Sequence, residues 1–105
     1  MSLVRVPIVL SFVLLTSVAR PADAADAQEG GRLAERWCAS CHAISPKQSR
    51  ATTQAPPFSE IAKSPGFDAP KVAYFLLAPH PRMPDMNLSR SEAVDLAAYI
   101  GTQRR

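Results

Sequence analysis

Five adjacent residues carry the densest chemistry in this chain: Cys38-Ala39-Ser40-Cys41-His42. With two residues between them, two thiols in a helical turn can add across the two vinyl groups of one porphyrin, and the histidine that follows projects an imidazole toward the iron. The pentapeptide would thus both tether a haem and ligate it. Other chemistries use the same residue types but fit this chain less well. A dithiol redox pair of the Cys-x-x-Cys kind needs a strand before it and a βαβ setting, and the sequence around 38–41 has neither pattern. A zinc site built from Cys38, Cys41, His42 and His80 would require adjacent side chains to converge on one small ion, and structural zinc pairs are spaced differently. A disulfide across so short a loop would contribute little stability and leave the histidine without a purpose.

A six-coordinate iron needs a second donor on its other face, and three candidates follow within residues 79–86: His80, Met83 and Met86. A thioether is neutral and soft, so it favours ferrous iron and raises the potential. Pro79, Pro81 and Pro84 stiffen this segment and reduce the entropy lost in holding a ligand. The alternative for the methionines is to pack on the porphyrin as flexible apolar filler.

The elements that must position these groups read as helices. Leu33, Ala34 and Trp37 fall at helical spacing within 28–37, with Glu29 near the positive N-terminal end, so a first helix runs into the cysteine motif. Residues 43–66 are broken by Pro46, Pro56, Pro57 and Pro65 and lack alternation, which predicts loop with a short helix over 57–63. Asp68 can cap a further helix with Pro70 in its first turn; Val72, Phe75 and Leu76 share one face of it until Pro79. The last helix has a Ser89–Glu92 capping box, a stripe of Ala93, Leu96, Ala97 and Ile100, and Gly101 to close it.

Upstream lies an address. Arg5 precedes an uncharged, mostly apolar run over 6–19, followed by Arg20 and the small-residue stretch Pro21-Ala22-Asp23-Ala24-Ala25. This is the pattern of a secretory signal peptide, and the run falls short of the roughly 20 residues that a membrane span needs. Cleavage after Ala24 leaves 25–105 as one exported, soluble domain, expected in a bacterial periplasm. The whole chain has 105 residues and a net charge of +3, and removal of 1–24 leaves ten basic and eight acidic residues. That balance is too weak to imply nucleic acid as a partner. Aromatic residues are only 7% of the chain, too few to fill a core of this size unless another group occupies its centre.

The residues resemble the class I c-type cytochromes, small single-haem electron carriers, over nearly all of 25–105. In that family a glycine-containing first helix leads into Cys-x-x-Cys-His, a Gly-Pro-x-aromatic segment follows, and a Met-Pro loop runs into a C-terminal helix. Gly30 to His42, Ala55-Pro56-Pro57-Phe58, and Met83 to Ile100 stand in that order here. The resemblance implies an all-α domain wrapped around one haem c, covalently bound through Cys38 and Cys41, with His42 as the proximal ligand and Met83, the methionine of Met-Pro, as the distal one. Two residues depart from the pattern. Ala55 replaces the glycine, so the ring N–H of His42 is expected to meet the carbonyl of either Pro56 or Pro57. Ala34 replaces an aromatic residue, so Trp37 or Leu33 must pack against Leu96 and Tyr99, with Gly30 allowing close approach.

The function these features imply is one-electron transfer between periplasmic or membrane-bound redox proteins by a monomeric, non-enzymatic carrier. The alternatives are a haem sensor or peroxidase-like protein with a labile distal ligand, and a dedicated cytochrome subunit of a periplasmic dehydrogenase. His80 reads as a surface loop residue. Arg82 reads either as a partner for a haem propionate or as an exposed loop charge. Arg32, Arg36, Lys47, Arg50, Lys63 and Lys71 read as solvated charges, some of which can steer a partner at low salt.

Overall fold

The computed structural model describes residues 1–4, 24–48, 55–78 and 81–104. The apolar run 6–19 and His80 lie outside the described residues. Among the described residues four helices form, α1 (Ala27–Trp37), α2 (Phe58–Lys63), α3 (Ala69–Leu77) and α4 (Arg90–Thr102), and there is no strand. The protein is all-α.

Each longer helix starts where its sequence supplies an acceptor for orphan N–H groups. Asp26 caps α1 by accepting from the Glu29 amide at 3.0 Å, one residue before the expected start. Asp68 does the same for α3 through the Lys71 amide at 2.9 Å. At α4 the box is reciprocal: the Glu92 amide donates to Ser89 Oγ at 3.1 Å, and the Ser89 amide donates to Glu92 Oε2 at 2.7 Å.

The stripe of α4, Ala93, Leu96, Ala97 and Ile100, is buried as its spacing predicts. Gly101 does not close the helix, which continues through Thr102. A Cβ at Gly101 would lie 3.3 Å from the Phe67 ring, so this glycine makes room for an aromatic side chain rather than turning the backbone. Gly30 has the opposite kind of constraint. A Cβ there would fall 2.0 Å from the Asp95 carbonyl oxygen and 2.8 Å from Tyr99 Cβ. Backbone therefore meets backbone where α1 crosses α4. Asp95 Oδ1 also accepts from the Asp26 amide at 2.8 Å, which fixes the start of α1 to the same helix.

Leu33, Ala34, Cys38, Ile44, Phe58, Leu96 and Ile100 form the main core cluster, and Ala73, Ala93 and Ala97 a second one between α3 and α4. Leu33, not Trp37, supplies the contact that an aromatic at position 34 would have made. Trp37, the last residue of α1, is 37% exposed and has the Arg36 guanidinium 5.0 Å from its ring centroid. It stands outside the core cluster.

The two neighbouring glycines of α1 should respond differently to substitution. Gly30→Ala must displace backbone and is expected to cost about 3 kcal/mol or more. Gly31→Ala meets only the Tyr99 ring edge at 3.1 Å, and the roughly 1 kcal/mol gained in helix propensity should leave it within about 1 kcal/mol of wild type. Denaturant midpoints of the two variants check this; equal midpoints would refute the close crossing.

Candidate cofactor site

The end of α1 builds the attachment turn. The amides of Cys38 and Ala39 both donate to the Ala34 carbonyl, at 2.8 and 3.0 Å, and those of Cys41 and His42 both donate to the Cys38 carbonyl, at 3.1 and 2.9 Å. The helix thus tightens into one further turn that carries both thiols and the imidazole. Cys38 is buried and Cys41 exposed, and they are not joined in a disulfide. Burial pushes the Cys38 thiol up to about 11, and the neighbouring Cys41 adds to the shift. Among the described residues no cluster of three or more His, Cys, Asp or Glu side chains could hold a metal ion.

His42 Nδ1 lies 2.6 Å from the carbonyl oxygen of Pro56. Of the two prolines left open by the sequence, Pro56 is the partner. A carbonyl can only accept, so Nδ1 carries the proton and Nε2 is the nitrogen with a lone pair to give. The imidazole also packs against Phe58, with ring centroids 5.3 Å apart, and Phe58 meets Tyr99 edge-on at 6.2 Å. The Phe58 amide donates to the Ala43 carbonyl at 2.9 Å, which ties the start of α2 to the residue after His42.

Two side chains secure the next stretch of backbone. Gln48 accepts from the Ile44 amide at 2.8 Å and donates to the carbonyls of Ala39 and His42 at 2.9 and 3.0 Å. Tyr99 donates its hydroxyl to the Ile44 carbonyl at 2.9 Å, and burial, with Glu35 adding to it, raises the phenol above its ordinary range. Sequence reasoning missed Gln48. It sits in a Ser-Pro-Lys-Gln stretch that matches no ligand or cap signature, and only a folded loop reveals which carbonyls its amide reaches.

A cavity of about 550 Å³ opens against this turn, inside the range of roughly 300–1,000 Å³ usual for cofactor sites. Its lining brings the motif residues Cys38, Cys41 and His42 together with Phe58, Ile61, Val72, Phe75, Leu76 and Ile100, and with Arg82, Met83, Pro84 and Met86. The shared face of Val72, Phe75 and Leu76 thus lines the cavity, and Phe75 is 46% exposed. In the methionine segment Asp85 Oδ1 accepts from the Asn87 amide at 2.9 Å, and Asn87 takes φ 49°, a left-handed turn that asparagine tolerates. Met86 is buried, Met83 half-buried, and Arg82 exposed at the cavity.

An apolar cavity lined by two cysteine sulfurs, an imidazole with one uncommitted nitrogen and two thioethers fits a haem c. The chain is 53% identical over 81 residues to a cytochrome c-552 of Bradyrhizobium diazoefficiens, a match covering 77% of this chain and 78% of the relative. The chain belongs to the class I c-type cytochromes. Its cofactor is one haem c, covalently bound through Cys38 and Cys41. No protein-family model matches this cytochrome, and no solved structure does.

Intact mass of the purified cytochrome should equal the polypeptide plus one haem, and acidified acetone should extract none of it. Cys38→Ser should leave at most one thioether, visible as a shift in the reduced absorption bands. Haem extractable from the wild-type protein would contradict covalent attachment.

Proposed function

We propose that this cytochrome is a periplasmic one-electron carrier whose iron is held between His42 and Met83. Haem c supplies, when bound, a couple between ferric and ferrous iron. The observation that carries the reading is the 2.6 Å hydrogen bond between His42 Nδ1 and the Pro56 carbonyl beside a cavity that Met83 also lines. That bond keeps the proton on Nδ1, sets the ring plane and makes Nε2 the more basic nitrogen.

Met83 is the distal ligand in this reading on two grounds. It is the methionine of Met-Pro ahead of the Ser89-capped helix, as the family pattern has it. It is also half-buried at the cavity, whereas Met86 is 8% exposed. Pro84 and the Asp85–Asn87 turn restrict the backbone next to it, so little further ordering is needed to hold the thioether.

With His42 and Met83 both committed, no position is left for a substrate, which favours a carrier over a catalyst. An unchanged ligand set also keeps the reorganisation that accompanies electron exchange small. Arg82 lines the cavity and Arg36 sits over the Trp37 ring, and both can orient a periplasmic or membrane-bound redox partner; Arg32 forms an ion pair with Glu29 at 2.6 Å. Among the described residues no helix is long and apolar enough to cross a membrane. In this reading residues 1–24 are a leader removed on export, and 25–105 act as a monomeric domain.

Met83→Ala should abolish the weak red charge-transfer band of a sulfur–iron bond and lower the reduction potential, while Met86→Ala does neither. The reverse pattern would transfer the role to Met86. The wild-type ferrous protein should bind carbon monoxide poorly at neutral pH; rapid stoichiometric binding would favour a sensor or peroxidase-like role. N-terminal sequencing of the protein from a periplasmic fraction should begin at Ala25.

A further inference from the structure

We infer that Gln48 is a positioning residue for the iron ligand, holding the main chain on both sides of His42 while Pro56 holds its ring. The inference rests on His42 being that ligand. A helical turn that stops leaves its last carbonyls without intrahelical donors. Here the ladder ends at the Cys38 carbonyl, which takes the amides of Cys41 and His42. The Ala39 and His42 carbonyls beyond it each receive a hydrogen from Gln48 Nε2, at 2.9 and 3.0 Å, and Gln48 Oε1 accepts from the Ile44 amide at 2.8 Å.

A primary amide offers two N–H donors and a carbonyl acceptor, and Gln48 engages both kinds on one short segment. Residues 39, 42 and 44 are thereby tied to one side chain. Tyr99 anchors the same segment to α4 through the Ile44 carbonyl, so this clamp is fixed to the core. A histidine has two side-chain torsions. With its backbone held by Gln48 and Nδ1 held by Pro56, the direction of Nε2 is set from both ends.

Gln48 does not line the 550 Å³ cavity. It borders a separate recess with Ala43, Ser45, Pro46 and Pro57, and its bonds to residues 39, 42 and 44 act on the site through the backbone of the turn. Glutamate at this position would keep the acceptor for Ile44 but remove both donors, and leucine would remove all three bonds.

Hydrogen exchange in the reduced holoprotein, followed by NMR, tests this. In wild type the ring carbon protons of His42 should be strongly shifted by the porphyrin ring current; unshifted signals would overturn the ligand reading itself, independently of Gln48. In Gln48→Leu, exchange of the His42 Nδ1–H and the Ile44 amide should accelerate about tenfold or more, while the Leu33 and Leu96 amides stay within about twofold of wild type. Gln48→Glu, which keeps the side-chain length should the leucine variant not fold, should accelerate the His42 ring proton and leave the Ile44 amide protected. An unchanged His42 ring proton in the folded variants overturns the proposal. So does an equal acceleration at all sites, which would mean only a general loss of stability.

Discussion

An interior that the polypeptide cannot fill is the constraint on which the rest of this structure depends. Among the described residues, five of the twelve buried apolar residues are alanines, and Leu96 is the one large side chain below 2% exposure. Trp37 and Phe75, which a protein of this size would ordinarily bury, instead border the cavity and remain partly exposed. A small domain buries a lower fraction of its unfolded chain's surface than a large one, so its stability margin is narrow. The covalent haem is therefore a structural element as much as a redox centre, and the helices are arranged to leave it space.

That arrangement depends on one close approach. Because Gly30 has no side chain, α1 meets the backbone of α4 at Asp95, and the crossing brings Tyr99 over α1 and within reach of the Ile44 carbonyl. Tyr99 in turn faces Phe58, and Phe58 faces the His42 imidazole. The helix crossing and the orientation of the His42 imidazole are thus parts of one packed assembly. Its hydrogen bonds individually contribute only about 1 kcal/mol net, but each removes a degree of freedom from the turn that carries the sulfurs.

The site gathers neutral donors in a mainly apolar cavity. An imidazole whose Nδ1 meets a backbone carbonyl and two methionine thioethers tolerate low dielectric surroundings. Arg82 is exposed at the cavity, and Arg36 is exposed over the Trp37 ring.

The sequence by itself determined the attachment motif, the four helices and the buried stripe of α4, because these depend on contacts three or four residues apart. The Ser89–Glu92 box and the Asp68 cap are legible for the same reason: donor and acceptor lie on one turn. The tertiary structure alone decided that Pro56 and not Pro57 meets His42, that Leu33 and not Trp37 packs on α4, that Gly101 serves the Phe67 ring rather than a helix end, and that Gln48 secures the haem-bearing turn. The bonds that set the site join residues 14, 55 and 69 positions apart. Local periodicity has no access to such pairs, because the path of the loops and the angle of the helix crossing place them, and both follow from the packing of the whole chain around the cavity.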